Sequence, residues 1–200
     1  TSQLLFFCSF TDKILNSYIA KIINSIMSEF DLRNNPWING YPIDTQRLSL
    51  DIYQLSCIFA SSKTLFKLQA ERSKGAVWEW NKESFELSEA SRLLISIAAS
   101  CRNIIDNSLI LERDSKMTSM SCGLLYPNIE LKSNKKDLNL REAFNKIIHA
   151  TTINFDLAKA ENIKTGYLNP SVYLYGEFQN KNWKAKLDIY PFCENCHSII

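Results

Sequence analysis

The sequence predicts a mainly α-helical fold, a helical bundle of about four long helices with a C-terminal β-hairpin. Three observations predict it. Apolar residues recur at three- and four-residue spacing through four long stretches. Only five glycines and five prolines punctuate 200 residues. A period of two takes over only near the end, where Trp183, Ala185, Leu187 and Ile189 alternate with Lys184, Lys186 and Asp188. The expected organisation is a helical bundle over 1–165, with 166–200 as a hairpin appendage packed on the same domain.

The first helix is expected over 10–30, capped by Thr11 or Asp12, with Ile14, Leu15, Ile19, Ile22, Ile23, Ile26 and Phe30 at helical spacing. Residues 31–43 carry turn chemistry in Asn34-Asn35-Pro36 and Asn39-Gly40-Tyr41-Pro42. A second helix runs from Asp44 to about Arg72, its stripe made by Leu48, Ile52, Leu55, Ile58, Phe59, Leu65 and Leu68. Residues 75–83, with Val77-Trp78-Glu79-Trp80-Asn81, fit either a short extended segment or an irregular cover.

A third helix is expected from Ser84 or Ser88 to Glu112, its buried face marked by Ala90, Leu93, Leu94, Ile97, Ala98, Cys101, Ile104, Ile105 and Leu109. Residues 114–137 break the pattern longest and read as a loop, with Lys132, Lys135 and Lys136 before the next helix. Asn139 followed by Glu142 is the N-cap and N3 pair of a capping box, which starts a fourth helix that runs to about Thr151. Phe155–Glu161 reads as a short further helix. The hairpin pairs 172–178 with 183–189 through a four-residue loop, Gln179-Asn180-Lys181-Asn182.

Bulk properties narrow the function classes. Hydrophobic residues at 46% and charged residues at 22% suit a packed globular chain rather than a disordered one. A net charge of +2 is no electrostatic footprint of a nucleic-acid binder, although a local patch stays open. Leu4–Phe10 is too short to span a bilayer and has no basic region before it, so the expectation is a cytoplasmic protein with no membrane association. The first residue is Thr rather than Met, so an upstream piece is expected to be missing or processed. The six cysteines are spread along a chain large enough not to need staples, and reduced thiols are expected.

The candidate for chemistry lies on the fourth helix. Arg141, Asn145 and His149 fall at i, i+4 and i+8, within roughly 80° of arc, opposite Leu140, Ala143, Phe144, Ile147 and Ile148. Histidine can move a proton near neutral pH, arginine can stabilise charge developing on a phosphoryl group, and asparagine can orient an oxygen. These are parts of a metal-independent ribonuclease site, with the three residues as its catalytic set.

With these residues the helix resembles the signature of HEPN-domain proteins, in which an Arg precedes a His by four to six residues. Here seven residues separate Arg141 from His149, and Glu142 follows the Arg. The resemblance covers about residues 84–152. It implies a helical-bundle fold, a homodimer with a composite site, RNA as partner and ribonuclease activity in the catalytic members. The residues alone leave a second class open: a non-enzymatic interaction or structural module whose polar stripe serves packing, with an unknown protein partner.

A third class hangs on Cys193-Glu194-Asn195-Cys196-His197. The spelling matches a c-type haem attachment site, but no second axial ligand is evident. A zinc site through Cys193, Cys196 and His197 would need further ligands such as His149 or Cys122, and no second C-x-x-C exists. A pair of tail cysteines is the expectation, with no metal. No phosphate-binding glycine loop or hydrolase elbow occurs, so no cofactor is expected.

Overall fold

A computed structural model describes residues 43–71, 85–107, 119–131, 134–159 and 166–200. The chain divides between Pro42 and Ile43, and all of these residues belong to the second unit, Ile43–Ile200. The expected helix over 10–30, the turn region up to Pro42 and all of 75–83 lie outside the described residues.

The described residues form a mixed α/β unit. In chain order they are α1 (Thr45–Glu71), α2 (Leu87–Asn107), β1 (Ser121–Tyr126), β2 (Lys136–Asn139), α3 (Leu140–Ile148), β3 (Thr152–Lys159), β4 (Gly166–Phe178), β5 (Lys181–Asp188) and α4 (Ile189–His197). The five strands make one antiparallel sheet in the order β2-β1-β5-β4-β3. A helical bundle with a terminal hairpin is therefore incorrect. The stretch read as a long loop holds β1 and the start of β2, and the stretch read as a short helix at 155–161 holds most of β3. The expected boundary at 165/166 falls between β3 and β4, which pair from Thr152↔Tyr175 to Lys159↔Gly166.

Each missed strand has a local reason. β1 shows no alternation, and its Gly123 sits at φ +143°, where an added Cβ would lie 2.0 Å from the Lys186 carbonyl oxygen. Only glycine lets β1 close on β5 there. In β3, the register with β4 shifts between Phe155 and Leu157, which breaks the period of two. β4 begins at Gly166, ahead of the expected start at Val172, and runs through Asn169-Pro170. Pro170 lies opposite that shift and ahead of the first β5 pair, Ser171↔Asp188, so its missing N–H interrupts no described pair. The β4–β5 turn is tighter than expected. Gln179 (φ 50°) and Asn180 (φ 60°) form a two-residue loop, and β5 starts at Lys181.

The helices behave as their periodicity requires. Asp44 caps α1 by accepting from the Arg47 N–H at 2.9 Å. Leu48, Ile52, Leu55 and Phe59 are buried, whereas Leu65 and Leu68 of the expected stripe are exposed at 40% and 47%. α2 buries Ala90, Leu93, Leu94, Ile97, Ala98, Cys101 and Ile105. Asp51, itself buried, accepts from Ser96 Oγ at 3.1 Å and pairs with Arg47, which ties α1 to α2. α1, α3 and α4 pack on one face of the sheet, and α2 packs against α1 and α3. The core contains inward residues of the strands, among them Leu125, Val172, Leu174, Trp183, Ala185 and Leu187.

α3 holds a special place in this topology. It follows β2 at one edge of the sheet without a loop and leads to β3 at the other edge. Its nine residues therefore cross the sheet. Leu140, Ala143, Phe144 and Ile147 are buried as expected, and Phe144 meets Phe192 of α4 edge-on at 6.0 Å between ring centres. Ile148, the fifth residue of the expected apolar face, is exposed at 37%.

Candidate functional site

The polar stripe on α3 forms as its spacing requires. Asn139 accepts from the Glu142 N–H at 2.8 Å and fixes the helix start. The Glu142 carboxylate serves the neighbouring ammonium groups, Lys136 at 3.1 Å and Lys146 at 4.0 Å. Arg141 reaches Asp106 of α2 at 3.3 Å. Asp106 also takes the Arg102 Nε at 3.3 Å, and an Arg102 Nη1 donates to the Asn145 side-chain oxygen. Arg102, Asp106, Arg141 and Asn145 thus form one chain of charge-assisted bonds between α2 and α3.

His149 lies apart from that chain. It is the C-cap of α3, its backbone N–H donates to the Asn145 carbonyl at 3.0 Å, and its ring is exposed. The three residues expected to act together are on one side of one helix, but Arg141 and Asn145 are engaged with α2. The helical-bundle scaffold implied by the HEPN resemblance is replaced by a sheet-and-helix unit. The RNA-binding and ribonuclease readings draw no support from it.

Lys146 follows the stripe round toward the core. Its ammonium sits 4.4 Å from the centre of the Trp183 ring, and burial lowers its pKa against the opposing pull of Glu142. The Trp183 ring in turn lies over Gly176, where a Cβ would come within 2.2 Å of it.

The terminal cysteines are not on a tail. α4 carries Cys193 and Cys196 inward, where both are buried with Cys101 of α2 and Cys122 of β1. These four thiols are free, and burial pushes Cys122 and Cys193 up from 9.0 to about 11 and Cys196 up as well. Neutral, dry thiols are poor metal ligands and poor nucleophiles. Among the described residues no group of three or more His, Cys, Asp or Glu side chains has the geometry to hold a metal ion. His197 is exposed. No described helix is long and apolar enough to cross a membrane.

The other face of the sheet presents a second polar surface. Pairing places Tyr126, Lys184, Tyr175 and Thr152 on one rung and Leu124, Lys186, Tyr173 and Asn154 on the next. Asp188 and Ser171 follow, bonded to each other at 2.9 Å, and Asp156 accepts from Asn169 at 3.2 Å. Glu177 and Asn182 form the rung beyond Tyr175, and Asp137 of β2 lies beside Leu124. The Lys184 ammonium lies 4.6 Å from the Tyr173 ring centre and 5.6 Å from that of Tyr175, whereas Lys186 bonds Asp188 at 3.1 Å.

Sequence reasoning located Lys184, Lys186 and Asp188 on an outward face through their alternation. It did not find Tyr126, Tyr173 and Tyr175 beside them. The alternation of Tyr173 and Tyr175 within Val172–Phe178 is the only local signal, and their neighbours are set by register. No family model matches this chain, and no curated protein or solved structure matches it either.

Proposed function

We propose that this chain is a non-enzymatic interaction module that meets its partner through the outer face of the sheet. One observation carries the reading: among the described residues the helices pack on the inner face around the β4–β5 core, and the outer face presents flat tyrosine rings with interleaved charges. Aromatic rings held on strands offer contact area at little cost in conformational entropy, and charged neighbours select the partner. The α3 stripe argues for the same conclusion from the other side. Its arginine and asparagine hold two helices together, which is a structural task.

The test is to place a photo-reactive amino acid at Tyr126, on the outer face, and separately at exposed Tyr53 on α1. Irradiation in cells should yield a discrete cross-linked species from position 126 that Lys184→Glu abolishes. Equal adducts from both positions, or none from position 126, would sink the reading.

A further inference from the structure

Along the β4–β5 ladder the charges of the outer face follow a fixed order. Glu177 stands at one end, Lys184 and Lys186 occupy the middle rungs, and Asp188 and Asp156 close the other end. A partner surface of one sign would be attracted at some rungs and repelled at others. The same face turned end for end complements this order once the axis is offset toward the Asp188 end, so that lysine rungs fall over aspartate rungs.

Resting on the interaction-module reading, we propose that the partner is a second copy of this chain. The two sheets stack outer face to outer face about a two-fold axis that crosses the strands near the Tyr173 and Ser171 rungs. Such an axis lays the Lys184–Lys186 end of each copy over the Asp188–Asp156 end of the other, so every attraction occurs twice. Stacked sheets rotate by about 30° relative to each other, which swings β5 of one copy toward β4 and β3 of its mate. Tyr126, Tyr173, Tyr175 and Leu124 fill the space between the charged ends with flat, apolar area.

Lys186 is neutralised by Asp188 within one copy, and the stacked arrangement lets each of them bridge to its counterpart across the axis. Lys184, held among the described residues by ring faces, gains the most from an opposing carboxylate. Strands about 4.8 Å apart make this face roughly 20 Å wide, so two copies bury on the order of 1,000 Å², at the lower end of specific interfaces. The dimer is accordingly reversible, concentration-dependent and weakened by salt.

Analytical ultracentrifugation of the purified full chain tests this, with circular dichroism as the check on folding. The wild type should show a monomer–dimer equilibrium that shifts to monomer as salt rises. Lys184→Glu and Asp156→Lys should each weaken the dimer ~tenfold or more, and an equimolar mixture of the two should restore it. Arg92→Glu on α2, the helix that packs against α1 and α3, should leave the equilibrium unchanged. A wild type that stays monomeric at millimolar concentration overturns the self-pairing, as does a mixture that fails to recover. If the purified chain is monomeric but position 126 still captures a different protein in cells, the module reading stands and only the second copy is wrong. If neither occurs, both fall.

Discussion

Two polar surfaces of this unit differ in what their charges are spent on. On α3, Arg141 and Asn145 are tied through Asp106 and Arg102 to the neighbouring helix, so the stripe holds the molecule together. On the outer face of β4 and β5, Lys184 meets the rings of Tyr173 and Tyr175, and among the described residues the helices pack on the opposite side. The first surface has the richer chemistry as a string of residues, the second the freer one as a structure. Residue type proposes a site, and the neighbours it meets decide whether it is one.

The largest expected effect tests what lies beneath both surfaces. Cys122 and Cys193 titrate at about 11 in the folded chain against an ordinary 9.0, because burial penalises the thiolate. Raised folded values mean stability that is complete below pH 9 and lost as pH climbs toward 11, about 2–3 kcal/mol for each thiol. Lys146 acts in the opposite sense. Its lowered folded value makes protonation favour the unfolded chain, so its share of stability grows as pH rises toward the ordinary 10.5. Urea melts from pH 8 to 11 should therefore show a net fall above about pH 9. In a Cys122→Ala, Cys193→Ala variant the fall should shrink to the share left by Cys196, Lys186 and Tyr53, whose values are also raised, and the Lys146 gain should offset part of it. An unchanged slope in that variant would show that the thiols are not the groups responsible.

How much of this was legible follows from what each element depends on. α1, α2 and α3 rest on periodicity and caps, both local, and appear close to where Asp44, the Ala90–Ile105 stripe and Asn139 place them. β5 was legible because one face is buried, which forces Trp183, Ala185 and Leu187 to alternate. β1 and β3 were not, because Gly123 and the shift near Asp156 exist to fit partner strands that no local window contains. The same limit hid the candidate face. Tyr126 and Lys184 are 58 positions apart in the chain and become neighbours only through the β1–β5 register. α4 was missed because a nine-residue helix with an uncapped start gives little signal, and its Cys-x-x-Cys reads as a motif when it is core.

A middle-sized effect bears on the stripe itself. Arg102→Ala removes the donor to Asn145 and one of the two guanidinium groups on Asp106. The group is half-exposed, so water compensates in part, and the expected cost is about 1–2 kcal/mol. Arg141→Ala should cost less, and the double variant should fall short of the sum because both act on Asp106. A double-variant cycle in thermal unfolding measures that coupling. Strict additivity would mean that the two arginines do not share Asp106 in solution, and the stripe would again be open to a ligand.

The smallest effect on stability is the one that sharpens the contrast most. Lys184→Ala takes away a cation that has no carboxylate partner within the described unit, so unfolding should move by no more than about 0.5 kcal/mol. Self-association should weaken in the same protein. A surface kept for holding the fold together loses stability when cut, as the α3 stripe should. A surface kept for a partner loses the partner and little else. If Lys184→Ala instead unfolds the chain as readily as Arg102→Ala, the ring contacts with Tyr173 and Tyr175 are structural, and the outer face has no better claim to a binding role than the stripe.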